Sequence, residues 1–397
     1  MRIAYDHQAF CRQKTGGISR YFCRLAEHLA GKEQTVGVFA PLYRNQYLKT
    51  LPAPLVHGYG VRDYPPKSSE LMVAANGLLA RTLIRGWKPD LVHETYFSAV
   101  RARFGTQPTV LTVFDMIGEL PEYGATGSGG DIRKSAKYAA VSRADHIICI
   151  SDHTRQDLIR LFGVAEHKVS VIHLGCDALA PEVYAPSQAQ SQTQSKTHSR
   201  SQSHAQSHAQ GSHIVADRPY LLYVGLRDGY KNFVAMLRAV AASRRLRTSF
   251  DIVAFGGGAF SATEQALITR LGFSPGQVRQ LAGDDANLAR VYKQATAFVY
   301  PSTYEGFGLP PIEAMTLKCP VISSHSSCMP EIIGEAAEYF DPEQTDSIAS
   351  AIENVVFSES RTCELIAKGE QRAQLFTWDR CAENTLSVYR SLGSGYK

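Results

Sequence analysis

Residues Tyr300 to Met315 read "YPSTYEGFGLPPIEAM". With the residues just before them they complete "TAFVYPS", a short apolar and aromatic run that ends in turn residues and reads as a buried parallel strand. Open α/β sheets bind ligands beyond the carboxyl ends of such strands. The loop "TYEGFG" follows, and "PPIEAM" starts a helix. Pro310 or Pro311 suits the first helical turn, where no ladder hydrogen bond is lost. Gly306 and Gly308, on either side of Phe307 and before Leu309, let the backbone approach a ligand with no Cβ in the way. The N–H groups of the helix start and its dipole then favour an anion, most simply a phosphate.

Glu305 and Glu313 flank this loop. Two acids beside a phosphate are unfavourable if they touch it. They make sense if they accept hydrogen bonds from vicinal diols. Glu313, read as part of the first helical turn, reaches a ribose on one side; Glu305, before the loop, reaches a second sugar on the other. A phosphate group with a sugar at each end is a nucleotide sugar. The alternative is that Glu313 only complements the helix dipole and Glu305 stands in solvent.

The rest of the chain alternates strands with helices. In the first half, "RIAYD", "TVGVFA", "PDLVHETYF", "PTVLTVFD", "ADHIICIS" and "KVSVIHLG" read as strands. The glycine turn Gly16–Gly17 precedes Ile18, Tyr21, Phe22, Leu25 and Leu29 at helical spacing, and Ser151 or Asp152 caps the helix "DHTRQDLIRLFG". In the second half, "PYLLYVG", "FDIVAFGGG", "TAFVYPS" and "CPVISS" are strands, with helices at "KNFVAMLRAVAAS" and "NLARVYKQA". Residues 186–213 are Gln, Ser, Ala and His with almost no apolar side chain, and read as a disordered insert. Its histidines, His198, His204, His208 and His213, lack a scaffold for a metal. The expected organisation is α/β, with Rossmann-like domains at 1–178 and 218–377, the insert at 179–217, and a C-terminal helix in 378–397 returning toward the first domain.

The bulk numbers agree. The 397 residues, 44% hydrophobic and 20% charged, suffice for two buried cores. A net charge of +5 suits an anionic ligand or an acidic membrane surface and is too weak to argue for nucleic acid. The eight cysteines stand singly, several inside apolar runs such as "HIICIS", and read as reduced core residues. The start "MRIAYDHQAF" has no apolar signal core, and no run approaches the roughly 20 apolar residues of a span. A cytoplasmic protein is expected, with any membrane contact peripheral, at the inner membrane.

The stretch "YEGFGLPPIEAM…CPVISSHSSCMPEIIGEAAEYFDP", with "YVGLRDGYKNF", "GGISRYF" and "LTVFDMIGELPE", resembles the family-four retaining glycosyltransferases. The resemblance covers nearly the whole chain outside the insert. It implies the GT-B fold, two Rossmann-like domains facing across a cleft, and a reaction without cofactor or metal. It implies that Glu305 contacts the transferred sugar, that Glu313 holds the ribose, and that Arg227 and Lys231 clamp the diphosphate and stabilise the leaving group. Gly16 and Gly17 would face the phosphate across the cleft. The donor, by the same resemblance, is GDP-mannose, and the acceptor a saccharide or lipid-linked saccharide of cell-surface polysaccharide synthesis.

One departure stands out. Relatives carry His before the Asp of "T-x-H-D"; this chain has Phe114 before Asp115. Asp115 then takes over near the reacting centre as acceptor-binding group or base, or simply caps a turn. His93, ending its strand, is either a second acceptor-side residue or a structural histidine. Arg133, Lys134 and Lys137 form a cationic helix face suited to anionic lipid. Two other readings stay open: a non-catalytic nucleotide-sugar-binding or scaffold protein, which Phe114 leaves open although Arg227, Lys231, Glu305 and Glu313 argue for activity, and a sugar-nucleotide epimerase of the same fold.

Overall fold

In the computed structural model, residues 1–99, 104–123, 128–177, 218–227 and 229–393 are described, with backbone alone for 128–134. The insert 179–217 therefore lies outside the described residues.

The first domain is a parallel seven-stranded sheet. Its strands are β1 (Arg2–Tyr5), β2 (Thr35–Tyr43), β3 (Val56–Gly60), β4 (Leu91–Glu94), β5 (Thr109–Val113), β6 (His146–Cys149) and β7 (Val169–Val171), in the order β3-β2-β1-β4-β5-β6-β7. The second domain has β8 (Tyr220–Val224), β9 (Asp251–Phe255), β10 (Val278–Leu281), β11 (Ala297–Tyr300), β12 (Val321–Ser324) and β13 (Ala337–Phe340), in the order β10-β9-β8-β11-β12-β13, again parallel. Central strands such as β5, β9 and β11 are buried along their whole length. Helices cover both faces of a parallel sheet, so its inner strands are apolar on both sides.

The strands read from the sequence are present. Three strands of the structure went unread: β3 (VHGYG), β10 (VRQL) and β13 (AEYF). All three are edge strands. An edge strand packs against fewer neighbours and needs no continuous apolar run. The helices Ser69–Trp87 and Ala262–Arg270 also went unread. The first exposes Leu71, Leu78, Leu79 and Leu83, which blurs its amphipathic pattern.

The helix Trp378–Gly393 leaves the second domain and lies along the helix Gly17–Gly31 of the first. His28 pairs with Asp379 at 3.2 Å and Lys32 with Glu383 at 2.8 Å. The Tyr389 hydroxyl is 3.2 Å from that of Tyr5. Directly between the domains, Glu331 accepts hydrogen bonds from the N–H groups of Asp152 (2.8 Å) and His153 (3.3 Å) and pairs with His173 at 2.7 Å. A second-domain carboxylate thus caps a first-domain helix, Asp152–Phe162, where the dipole favours negative charge. Tyr304 donates to Asp157 at 2.7 Å, and Ser151 donates to the Gly306 carbonyl at 2.7 Å.

None of the cysteines is in a disulfide; Cys363 is exposed, Cys176 half-buried and the other six buried. Among the described residues no helix is long and apolar enough to cross a membrane.

Candidate active site

A cavity of about 270 Å³ lies between the domains. From the second domain it is lined by Lys231, Tyr300, Glu305, Phe307, Gly308, Leu309 and Glu313, and from the first by Gly17, Arg20, Phe114 and Asp177. Local structure explains why these residues meet. Tyr300 ends β11 at its carboxyl end, and Gly308 caps the helix Leu309–Thr316 with φ 92°, a conformation that favours glycine. A Cβ on Gly308 would also stand 2.8 Å from the Met329 methyl. Gly306 faces a harder limit, since a Cβ there would lie 1.9 Å from the carbonyl oxygen of Phe114. That glycine is what lets the loop approach Phe114 of the first domain so closely.

Two helix starts converge on the cavity, Gly17–Gly31 and Leu309–Thr316, because Gly17 and Leu309 both line it. The first-turn N–H groups of Gly17–Gly31 have no partners within the helix, nor has that of Leu309 in the second helix, whose Pro310 and Pro311 carry none, and both dipoles present positive ends to the same space. Lys231 adds a full charge there, with Nζ 2.6 Å from Oε1 of Glu305. Arg20 stands opposite, 3.3 Å from Asp285 of the second domain and 3.8 Å from Asp177. The arrangement can hold a diphosphate between cations and helix ends, with a carboxylate on each flank.

Glu313 is not in the first helical turn but one turn in, where Tyr292 donates to it at 3.3 Å. Burial pushes its pKa up to about 7, with the Arg20 guanidinium pulling the other way. Of the two glycines in the N-terminal turn, Gly17 lines the cavity, and a Cβ there would meet nothing within 4 Å. Gly16 sits behind it as the helix cap, against the Gln13 side chain.

Several sequence expectations are corrected. Arg227 does not line the cavity. It is buried beneath the loop after β9, paired with Glu264 at 2.6 Å and donating to the carbonyls of Gly256 (2.9 Å) and Ala259 (3.1 Å). The side chain of a residue so soon after a strand can go to either side of the sheet, and here the glycine loop Gly256–Gly258 draws it away. His93 does not face the cleft either: it is fully buried, with Nδ1 2.5 Å from the Tyr389 hydroxyl and Nε2 2.8 Å from Thr112 Oγ1. Desolvation lowers its pKa to about 3. Asp115 caps a turn, accepting from the Ile117 N–H at 3.2 Å, and stands outside the cavity lining. Lys137 is no surface cation: its Nζ is buried against Glu119 (2.6 Å) and the Asp115 carbonyl (2.9 Å). The side chains of Arg133 and Lys134 lie outside the described residues.

Sequence reasoning missed Arg20, Asp177 and Trp378, which also line the cavity. Arg20 had a signal, standing one helical turn after Gly16–Gly17 in "GGISRYF". Asp177 and Trp378 had none: Asp177 is held by Arg24 of the helix Gly17–Gly31, its Nε donating at 2.9 Å, and Trp378 is brought in by the return of the C-terminal helix.

Comparison with known proteins fits this geometry. The family described as "Glycosyltransferase Family 4" matches residues 15–178, and "Glycosyl transferases group 1" matches residues 205–372. The O-antigen chain mannosyltransferase B of Escherichia coli is 29% identical over 276 residues, covering 68% of this chain and 67% of that protein. Among solved structures, a sucrose-phosphate synthase from Thermosynechococcus elongatus superposes with TM-score 0.72 at 19% identity, over 99% of both chains. HepE of Anabaena, solved with UDP-glucose, superposes with TM-score 0.67 at 16% identity, over 98% of this chain and 100% of that one.

Two parallel-sheet domains with the cleft between their strand ends make this an enzyme of the GT-B glycosyltransferase class. The two family matches take in most of both domains. The chain belongs to the family-four glycosyltransferases.

Proposed function

We propose that the protein is a retaining hexosyltransferase that moves a sugar, best read as mannose from GDP-mannose, to a saccharide or lipid-linked saccharide in cell-surface polysaccharide synthesis. The observation that carries the donor class is the cleft itself. Lys231 and two helix starts hold the diphosphate, Glu313 takes the ribose diol, and Glu305 takes hydroxyls of the transferred sugar. The mannosyltransferase relative supports the sugar, and the UDP-glucose complex of HepE supports a nucleotide sugar as donor. Lys231 and Arg20 offset the charge that develops on the departing nucleoside diphosphate. The bond from the anomeric carbon to the β-phosphate oxygen breaks, and the acceptor hydroxyl attacks the same face. Its proton passes to the leaving phosphate oxygen. Glu305 is poorly placed as a covalent nucleophile in this reading, since its carboxylate is engaged by hydroxyls of the transferred sugar. No cofactor or metal takes part in this reading.

A lipid-linked acceptor brings the protein to a membrane surface. The helix Ser69–Trp87, with its exposed leucines and with Lys67 and Lys88 exposed at its ends, supports peripheral contact with anionic lipid. Sedimentation with anionic liposomes at low salt checks this, and protein left in the supernatant overturns it.

The test of the function is release of nucleoside diphosphate from a panel of nucleotide sugars, with saturation-transfer NMR on wild type and Glu305→Ala. Binding of one donor, with the variant losing the sugar contacts and keeping the nucleotide, is the expected result. Failure to bind any nucleotide sugar would overturn the reading, and binding of a donor with no release of nucleoside diphosphate would put the non-catalytic reading ahead.

A further inference from the structure

We propose that Tyr300 positions Glu305 in the donor-bound enzyme: once the donor phosphates draw Lys231 away, the Tyr300 hydroxyl takes its place as hydrogen-bond donor to the Glu305 carboxylate. This rests on the transferase reading and adds how the sugar-facing acid keeps its direction.

Tyr300 ends β11 and lines the donor cavity. It is 1% exposed, and among the described residues its hydroxyl has no hydrogen-bond partner. Ser302 Oγ, two residues on, is also buried and unpaired, so the two hydroxyls do not satisfy each other. A buried hydroxyl left unpaired is unfavourable. Phenylalanine would fill the same space without that cost, packing on Phe298 as Tyr300 does, with ring centroids 5.5 Å apart. The hydroxyl fits a state of the protein in which an acceptor turns toward it.

Glu305 is that acceptor. Its main chain is fixed on both sides: the N–H donates to Ser327 Oγ at 2.9 Å, and the carbonyl accepts from Cys328 Sγ at 3.1 Å. Its carboxylate is held by Lys231, with Nζ 2.6 Å from Oε1. The same ammonium stands 5.9 Å from the centre of the Tyr300 ring, so the three side chains share one corner of the cavity. Burial, with the Glu305 charge adding to it, raises the Tyr300 pKa well above that of a free phenol. The hydroxyl therefore keeps its proton and can donate.

A donor that takes Lys231 with its phosphates leaves a largely buried carboxylate without its cation. The hydroxyl then supplies a charge-assisted hydrogen bond, stronger than a neutral one. A carboxylate has two oxygens, each able to accept more than one bond. One is held by Tyr300, and the other meets the sugar hydroxyls. The exchange needs only a turn of the Glu305 side chain, since the tyrosine stays packed in the core.

Calorimetric titration of the full chain with GDP, GDP-mannose, UDP and UDP-glucose tests this in wild type, Tyr300→Phe, Glu305→Ala and the double variant. In Tyr300→Phe, nucleotide-sugar binding should weaken about 10-fold while nucleoside diphosphate binding holds within about 2-fold. The denaturant midpoint should equal that of wild type or exceed it, since the lost hydroxyl had no partner. In the Glu305→Ala background, Tyr300→Phe should cost nothing further. A purely structural tyrosine would not give this pattern. Nucleotide-sugar binding that Tyr300→Phe leaves unchanged overturns the proposal, as does equal loss for nucleotide and nucleotide sugar, or the same loss with and without Glu305. A lowered midpoint also overturns it, because the hydroxyl would then be paired already in the free protein. Each of these results leaves the transferase reading standing. Wild type that binds no nucleotide sugar brings down both.

Discussion

The ammonium of Lys231 rests 2.6 Å from Oε1 of Glu305, on the wall of the interdomain cavity. Both side chains are largely buried, so neither charge is well hydrated, and each holds the other in place. On the proposed function a donor divides the pair, taking the lysine with its phosphates and the glutamate with its sugar.

Lys231→Ala is therefore expected to lower kcat/KM by about 100-fold or more, the scale for removing a charge-stabilising group, and to weaken nucleoside diphosphate binding. Glu305→Gln should leave diphosphate affinity within about 2-fold while losing discrimination among donor sugars. Calorimetric titration of both variants with nucleoside diphosphates and nucleotide sugars checks the split. Equal loss for the two ligand types in Glu305→Gln would remove the sugar role.

Glu313 supplies a pH dependence. Burial raises its pKa to about 7, and a ribose diol is held best by the ionised carboxylate. Donor affinity should rise as pH climbs from 6 to 8, and Glu313→Gln should flatten that rise. The effect on folding has the opposite sign. Between the unfolded carboxyl value near 4.5 and about 7 the folded state holds the extra proton, so this contribution to stability is present at low pH and lost as pH rises. A donor-binding profile that falls over the same range would sink the assignment.

Gly306→Ala tests closure. The added Cβ would lie 1.9 Å from the Phe114 carbonyl oxygen, backbone against backbone, and the contact must open. The variant should keep two folded domains by circular dichroism, show a larger radius of gyration by small-angle scattering, and lose activity by about 100-fold through misplacement of the reacting groups. An unchanged radius with full activity would show that the contact is dispensable.

Arg227 and His93 should report on stability rather than on donor binding. Arg227→Met leaves Glu264 and two carbonyls without their guanidinium, at roughly 2–4 kcal/mol, with nucleotide affinity of the folded protein unchanged. His93→Leu leaves Tyr389 and Thr112 without the imidazole, at about 2 kcal/mol. Burial lowers the His93 pKa from 6.5 to about 3. Below pH 6.5 the unfolded chain takes up a proton that the folded one refuses, so stability falls on acidification, and His93→Leu removes that slope. Denaturant melts at several pH values measure both variants, and a raised nucleotide Kd in Arg227→Met would return that residue to the cleft.

The loop Glu305–Leu309 was legible because its chemistry is local. A strand end, two glycines and a helix start lie within a few residues, and backbone sterics fix where they point. Lys231 and Gly17 were legible for the same reason, each standing at a turn just beyond a strand. Arg227 was not: it lies four residues before Lys231, and its direction depends on a carbonyl-rich loop and on Glu264, which lie far along the chain. His93 was misplaced because a strand end says nothing of a helix arriving from residue 378 to cover it.

The sequence by itself determined two α/β domains, the glycine loop at the cleft and the acids beside it, since periodicity, glycine placement and helix starts are properties of short segments. Only the tertiary structure decided which groups share the cleft. It brought Arg20 to Asp285, Glu331 to the helix at Asp152, Trp378 into the cavity and His7 against Gly77. Those relations join residues far apart in the chain, and they are set by how whole elements pack, which no local pattern encodes.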